Sequence, residues 1–245
     1  MTRLNDRLRS ARSSLGILAI AAMAIAGVAL APGLYRRLET AALWYDVIGV
    51  DVSHHQGAID WRTLRASGVA FAYIKATEGS RTRDREFQNN WRGATAAGMP
   101  RGAYHYLSFC QSGRDQAQNF IRTVPRDVGT LPPALDAEEM AAPCPGGHGV
   151  DIAAEIDDFL KTVEAHYGKR PVVYVTARFY RAYLDGKQAG TERFWVRSLL
   201  LPPAIERERW QFWQFHNRGR RGGIQGPVDL DAFRGSASDL TAMMQ

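Results

Sequence analysis

The amino-acid sequence predicts an α/β domain whose eight strands close into a barrel. Five short apolar segments alternate with helical segments, and three further apolar segments follow with no helix between them. Strands that alternate with helices favour a parallel sheet. Eight strands within residues 46–236 favour a closed barrel that has lost its last helices, and an open doubly wound sheet is the alternative. No Gly-x-Gly-x-x-Gly motif follows the first strand, so a dinucleotide site has no support.

The strands are predicted from short runs of apolar, mostly β-branched or aromatic residues that are bounded by polar residues, Gly or Pro. Pro132 and Pro133 confine the start of the fourth run, because proline cannot donate to a sheet ladder. The eight runs are Val47–Val52, Val69–Ala76, Gly102–Leu107, Leu131–Glu138, Pro171–Val175, Phe194–Val196, Gln211–Phe215 and Val228–Leu230.

Capping and stop residues predict the helices between these strands. Asp60 and Ser112 can each accept a hydrogen bond from an N–H of the first turn, while Gly68 and Pro125 end the same two helices. The longest helix is amphipathic, because its apolar residues recur at spacings of three and four. The predicted helices are Asp60–Ala66, Asp84–Ala97, Ser112–Val124, Val150–Tyr167 and Ala177–Leu184.

The first residues read as a targeting segment rather than as part of the barrel. Residues 1–14 are basic, residues 15–34 carry no charge, and residues 35–45 form a juxtamembrane linker. As a helix, 15–34 would measure about 30 Å, the thickness of a bilayer's hydrocarbon core. It is either an uncleaved inner-membrane anchor or a signal peptide cut after Ala29-Leu30-Ala31, with a buried core helix as a third reading. Either of the first two places the domain outside the cytoplasm, facing the periplasm or cell wall, or secreted.

The net charge and the cysteine content bear on the binding partners and on the compartment of the protein. The chain has a net charge of +6, but residues 1–37 contain six Arg and one acid, so the electrostatic case for nucleic acid is weak. Cys110 and Cys144 are the two cysteines, and a disulfide between them would fit an oxidising compartment; two unrelated buried thiols are the alternative. No His/Cys spacing suggests a metal, so we expect neither a metal nor a cofactor. We also expect a monomer, with residues 237–245 as a C-terminal tail.

Acidic residues stand at the ends of several predicted strands. The first strand ends near Asp51, the fourth ends in Asp136 and Glu138, and the eighth carries Asp229. Buried acids are costly, and the active site of a βα barrel forms at the carboxyl ends of its strands. Asp136 and Glu138 share one face, with Cα atoms about 6.6 Å apart at about 3.3 Å per residue. We expect neighbouring negative charge to keep one carboxyl protonated, as general acid catalysis of glycoside cleavage requires.

Six segments in register resemble the lysozymes (muramidases) of glycoside hydrolase family 25, the bacterial and phage cell-wall type. They are Gly49-Val50-Asp51-Val52-Ser53-His54-His55-Gln56-Gly57, Ile74-Lys75-Ala76-Thr77-Glu78-Gly79, Gly102-Ala103-Tyr104-His105-Tyr106, Leu135-Asp136-Ala137-Glu138, Trp213-Gln214-Phe215 and Val228-Asp229-Leu230-Asp231-Ala232-Phe233. The resemblance implies a flattened, TIM-like barrel of five helices and eight strands. It also implies cleavage of the β-1,4 bond between N-acetylmuramic acid and N-acetylglucosamine in peptidoglycan, without a metal. A glycan-binding module of the same fold that does not cut is the alternative.

The resemblance also assigns roles to the acids. Glu138 matches the general acid, and Asp136 matches its partner, which is either a nucleophile or the group that orients the substrate's N-acetyl. We favour the second role. Asp51 and Asp229 match two further pocket acids that tune Glu138 and hold sugar hydroxyls. Asp231 departs from the pattern, because many relatives have Asn there.

Seven other residues are candidates for substrate binding. The five aromatic ones either stack on sugar rings or fill the barrel core. Lys75 either contacts substrate or forms a salt bridge, and Gln214 either contacts a sugar or joins the acid cluster. The aromatic candidates are Tyr73, Tyr104, Tyr106, Tyr174 and Trp195.

Overall fold

The computed structural model describes residues 40–139, 151–186, 193–199, 201–205 and 209–245. These residues form nine strands, eight of which match the predicted runs. The additional strand is Thr82–Arg83, which forms a hairpin with the strand before it. The strands are β1 Ile48–Val52, β2 Phe71–Glu78, β3 Thr82–Arg83, β4 Arg101–Tyr106, β5 Ala134–Ala137, β6 Val172–Thr176, β7 Arg193–Arg197, β8 Trp210–Gly219 and β9 Val228–Phe233.

The sheet closes, which confirms the predicted barrel. The strand order is β1-β9-β8-β7-β6-β5-β4-β2-β3, and β1 also pairs with β2. All barrel neighbours from β1 through β8 are parallel. The predicted parallel sheet therefore holds for these strands, but β9 runs antiparallel to both β8 and β1. The start of β9 therefore lies at the same rim as the carboxyl ends of the other strands, and Asp229 pairs directly with Asp51.

The helices cover the outside of the barrel. Asp60 and Ser112 cap their helices as predicted, through hydrogen bonds from Thr63 N and Asp115 N. The sequence analysis missed a short helix in the predicted tail, which Ser236 begins with a capping box. The helices are α1 Trp61–Ala66, α2 Phe87–Ala96, α3 Gly113–Thr123, α4 Ile152–Tyr167, α5 Ala177–Phe179, which continues as a π-helical turn at Tyr180–Leu184, and α6 Ala237–Ala242.

Alternation along the strands separates two apolar layers. One layer lies between the barrel and its helices and includes Phe120 and Phe159, both fully buried. The other fills the inside of the barrel with large rings such as Phe71, Tyr73 and Phe212. These rings occupy the half of the barrel away from the carboxyl ends, so the other half is left open for polar side chains.

Two predictions concern residues that lie wholly or partly outside the described ranges. Within the described ranges, no helix is long and apolar enough to span a bilayer. The proposed anchor or signal at residues 15–34 lies outside those ranges. Cys110 lies in the part of the chain that the structure describes, and that part contains no free cysteine. Cys144, its proposed partner, lies outside the described residues, so that pairing stays a prediction.

Candidate active site

A cleft of about 370 Å³ opens at the rim of the barrel where the parallel strands end. The four acids singled out from the sequence all line it, although they come from three different strands: Asp51, Asp136, Glu138 and Asp229. The strand register explains how they meet. Asp136 lies beside Tyr106 on one side and Tyr174 on the other, and Asp51 lies opposite Asp229.

Glu138 follows β5 and is partly exposed to the cleft. Its pKa is raised above the usual value, mainly by burial and also by the charge of Glu139, while Arg197 and Lys75 oppose the shift. The Arg197 guanidinium lies 3.8 Å from Glu138 Oε2. The sequence analysis expected negative neighbours to be the main cause, but burial contributes more. A carboxyl with a raised pKa retains its proton closer to neutral pH, as a proton donor must.

Asp136 stands two residues before Glu138 on the same side of the strand. Burial raises its pKa most, the charges of Glu138 and Asp51 raise it further, and Lys75 lowers it. Its Oδ1 atom accepts no hydrogen bond from any described residue. The residue as a whole is partly exposed and lines the cleft, so the exposed part of its carboxylate can accept a hydrogen bond from a bound molecule.

A chain of hydrogen bonds fixes Asp51. Tyr174 donates its hydroxyl proton to Gln214 Oε1 at 3.0 Å, and Gln214 Nε2 donates to Asp51 Oδ2 at 2.8 Å. The pKa of Asp51 is well above normal because of burial and the charge of Asp229, with the Gln214 bond acting in the opposite direction. Gln214 therefore joins the acid cluster, as one of the two sequence readings expected, and it also lines the cleft.

Asp229 and Asp231 lie on the same face of β9 at different depths. Burial raises the pKa of Asp229 to about 6, with Glu138 adding to the shift and Arg197 opposing it. Asp231 is fully buried, and its Oδ1 accepts a hydrogen bond from Trp195 Nε1 at 2.8 Å. Burial and the charges of Asp51 and Asp229 raise the pKa of Asp231 well above normal. Asp231 is thus part of the acid cluster beneath the cleft, which the sequence analysis noted only as a departure from relatives.

Four of the five predicted aromatic residues line the cleft, and Tyr73 does not. Tyr104, Tyr106, Tyr174 and Trp195 border the opening. Tyr73 is fully buried beneath it, its ring stacks on Trp195 at a centroid distance of 4.9 Å, and its hydroxyl donates to Pro132 O at 3.2 Å. The sequence prediction that Tyr73 binds substrate is therefore wrong, because no part of its side chain reaches the cleft.

Lys75 forms a salt bridge, which is one of the two roles that the sequence left open, and its contact with substrate stays a prediction. Its Nζ atom pairs with Glu78 Oε2 at 2.7 Å and lies 4.7 Å from the centre of the Tyr106 ring. The side chain also lines the cleft. Lys75 therefore brings a positive charge to the side of the cleft that carries the β2–β3 hairpin.

Sequence reasoning missed several residues that line the cleft. Arg197 is the most consequential, because its guanidinium lies within 4 Å of the Glu138 carboxylate, at 3.8 Å, and alternation from Trp195 could have placed it inside the barrel. Three of the others follow the end of β1, where strand periodicity gives no signal: Ser53, His55 and Gln56. The fourth, Asn217, lies in β8 beyond the end of the predicted run. His54 and His55 lie in a 3₁₀ turn, and His54 Nδ1 bonds to Asp84 Oδ2 at 2.6 Å.

Known proteins resemble this chain in sequence. The family profile described as "Glycosyl hydrolases family 25" matches residues 50–224. Lysozyme M1 of Streptomyces globisporus is 37% identical, over 80% of this chain and 71% of that protein. The uncharacterized protein YegX of Escherichia coli K12 is 36% identical, over 82% of this chain and 74% of that protein. An N,O-diacetylmuramidase of Arthroderma benhamiae is 30% identical, over 92% and 96% of the two chains.

Solved structures resemble it in fold. A family 25 glycosyl hydrolase from Bacillus anthracis superposes with a TM-score of 0.75 at 37% identity, covering 82% of this chain and 94% of that one. A bacterial lysozyme from Streptomyces coelicolor gives a TM-score of 0.74 at 35% identity, covering 82% and 98%.

Proposed function

The chain belongs to glycosyl hydrolase family 25, and from this premise we propose that its cleft cuts the glycan strands of peptidoglycan as a muramidase. The bond is the β-1,4 linkage between N-acetylmuramic acid and N-acetylglucosamine. The observation that carries the proposal is the meeting of Asp51, Asp136, Glu138 and Asp229 around one cleft. A site that only held neutral sugars would gain little from burying four carboxyls, each of which costs free energy to desolvate.

Glu138 is the proposed general acid. Its carboxyl proton moves to the glycosidic oxygen as the bond from that oxygen to the anomeric carbon breaks. Its raised pKa and its partial exposure to the cleft support this role. In the second step, the resulting carboxylate takes a proton from water, which then attacks the anomeric carbon from the face that the leaving group left.

Asp136 is the proposed stabiliser of positive charge. Because Glu138 follows β5 only two residues after Asp136 and both side chains line the same cleft, they are poorly placed to act from opposite faces of one sugar. The acetamido oxygen of N-acetylmuramic acid is therefore the proposed nucleophile, and the carboxylate of Asp136, which lines the cleft, accepts a hydrogen bond from the acetamido N–H. Direct attack by Asp136 is the alternative, and both routes retain the anomeric configuration.

Asp51 and Asp229 are proposed to hold sugar hydroxyls and to tune Glu138. Gln214 and Tyr174 keep Asp51 in place, so these two residues act on the substrate through Asp51 as well as by lining the cleft. Tyr106 is proposed to stack its ring on a sugar, while Tyr104 and Trp195, which are almost fully buried, meet the sugars only with the ring atoms that border the cleft.

Peptidoglycan lies outside the cytoplasmic membrane, so the proposed reaction takes place there. This agrees with the expectation that residues 15–34 are an inner-membrane anchor or a cleaved signal. A Cys110–Cys144 disulfide would suit the same compartment. We further expect a monomer that needs neither metal nor cofactor.

The test is Glu138→Gln, compared with Glu139→Gln as a matched control. Glu139 is adjacent in sequence, but it accepts a hydrogen bond from Thr176 Oγ1 at 3.0 Å instead of lining the cleft. We expect Glu138→Gln to lower the release of muramic-acid reducing ends by about 10²- to 10⁴-fold without lowering the melting temperature. Glu139→Gln should stay within a few-fold of wild type. Full activity of Glu138→Gln would reject the acid assignment, and a wild-type protein that binds peptidoglycan without cutting it would favour the binding module.

N-deacetylated peptidoglycan tests the proposed nucleophile in the same assay. If the acetamido oxygen attacks, wild-type enzyme should fail to cut at muramic acid that lacks its acetyl group. Cleavage at the normal rate would instead favour Asp136 as the nucleophile.

A further inference from the structure

A second cavity adjoins the cleft at the β2–β3 hairpin. It has a volume of about 190 Å³. We call it the hairpin pocket and define it by Lys75, Glu78, Thr82, Arg83, Asp84 and Arg85, with His54 at its edge. Lys75 lines both this pocket and the cleft, so a molecule lying in the cleft can reach the pocket past a single side chain.

Hydrogen bonds to other parts of the chain hold the backbone of the β2–β3 hairpin in place. Asn119 is almost fully buried, and its Nδ2 donates to both Gly79 O and Thr82 O at 2.9 Å. Asp84 N donates to Ala76 O at 2.9 Å. The hairpin is therefore already ordered, so ligand binding there loses little conformational entropy of the backbone.

The acids of the hairpin pocket are already occupied. Asp84 Oδ2 accepts from His54 N at 3.1 Å and bonds to His54 Nδ1, while its Oδ1 accepts from Glu86 N at 2.9 Å. Glu78 is paired with Lys75. Neither acid is therefore available to the arginines beside it.

Arg83 and Arg85 are left as two exposed guanidinium groups that line the pocket. Among the described residues, neither side chain forms an ion pair or a hydrogen bond. A guanidinium presents a planar fork of donors that matches a carboxylate or phosphate group. The pocket thus has the charge and the donors to bind an anion next to the cleft.

We propose that the hairpin pocket binds a carboxylate of the peptide stem carried by muramic acid while the glycan lies in the cleft. This rests on the proposed function, because it takes peptidoglycan as the molecule in the cleft. The stem is attached to the sugar ring whose bond is cut, and it is the substituent of that glycan that carries carboxylates. The inference makes Arg83 and Arg85 specificity-determining residues that favour stem-bearing over stem-free glycan.

The test compares wild type with the double variant Arg83→Gln/Arg85→Gln on two substrates. One is peptidoglycan with intact stems, from which phosphate-bearing wall polymers have been removed, and the other is the same glycan after an amidase has released the stems. Wild type should cut the stem-bearing glycan with a kcat/KM roughly three- to tenfold higher, mainly through KM, because exposed charge pairs are individually weak. The double variant should lose this preference and keep the wild-type rate on stem-free glycan.

The matched control is Arg114→Gln/Arg122→Gln. It removes the same charge from the exposed face of α3, outside both cavities, and should keep the wild-type preference. Loss of the preference in this control would show a general effect of charge and overturn the inference. So would equal cleavage of both substrates by wild type, or a preference that appears only when phosphate-bearing polymers are present.

Direct binding separates this inference from the proposed function. Calorimetry with uncut, stem-bearing glycan fragments in a Glu138→Gln background measures affinity without cleavage. The added Arg83→Gln/Arg85→Gln change should weaken binding by the same factor, even if the wild-type protein proves to cut nothing. Unchanged affinity would overturn the inference whether or not the protein is a muramidase.

Discussion

The two halves of the barrel interior are built from the same strands and have opposite chemistry. On β2, Phe71 and Tyr73 fill the lower half, while Lys75 two residues later reaches the cleft. On β9, Phe233 lies in the lower half and Asp229 at the rim. Because alternation keeps every second residue on the inner face, the change from apolar to charged takes one step of two residues. The lower half of the barrel interior is a packed apolar core, and the upper half holds the charged residues of the cleft.

The two halves also contribute to stability with opposite signs. The lower half removes large rings from water, which stabilises the fold. In the upper half, the pKa values of Asp51, Asp136 and Asp229 are raised by burial, so the native state holds protons more tightly than the unfolded chain. A raised carboxyl pKa costs stability as pH rises through it. The cleft therefore costs stability at neutral pH, and the lower half has to offset that cost.

The largest expected change of stability is in the lower half. Phe212 is fully buried, with ring centroids 5.3 Å from Phe71 and 5.1 Å from Phe233. Phe212→Ala leaves a cavity and should lower the free energy of unfolding by about 3–5 kcal/mol. The kcat of the protein that remains folded should stay within a few-fold of wild type. Denaturant unfolding and an active-site-normalised assay measure the two quantities, and a large fall in kcat with little change of stability would break the division between the halves.

The opposite sign is expected for Asp229→Asn in the upper half. With the pKa at about 6 in the folded protein, against an ordinary value of 3.8, ionised Asp229 is destabilising above that range. The Asn variant should therefore be more stable than wild type by about 2 kcal/mol near pH 8. The gain should shrink as pH falls through 6 and vanish below about pH 4, where both forms are neutral. Thermal unfolding across this pH range is the measurement. A variant less stable than wild type at pH 8 would show that Asp229 is not under this strain.

The sequence predicted the upper half better than the lower half. Acids at strand ends were sufficient to place Asp51, Asp136 and Glu138 at one rim. Asp229 was assigned to the pocket by the family resemblance, because a parallel β9 would have put its start at the opposite rim. The depth of a ring inside the barrel was not predictable, because it depends on which residues face it across the barrel. Tyr73 fits beside Gly102, where a Cβ would lie 2.4 Å from its Cε1 atom. That contact needs the register of β2 and β4, which one strand's pattern does not contain.

The direction of β9 was missed for a related reason. The predicted seventh strand ended at Phe215, which left a gap before Val228 that was long enough for a crossover connection. In the structure, β8 continues through His216 to Gly219, and the shorter remaining connection favours an antiparallel return. His216, Asn217 and Arg218 lack the apolar alternation that marks a strand, so no pattern in these residues indicated the extension.

The smallest expected effect tests where the boundary between the two halves of the barrel interior lies. Tyr73→Phe removes the hydrogen bond to Pro132 O and should cost about 1 kcal/mol of stability without changing kcat or KM. Tyr174→Phe is the matched change one layer higher, because it removes an equivalent hydroxyl that holds Gln214 and, through it, Asp51. It should cost similar stability but also lower kcat/KM by several-fold. Equal kinetic losses in the two variants would mean that Tyr73 belongs to the working half after all, and that the boundary lies one ring deeper in the barrel.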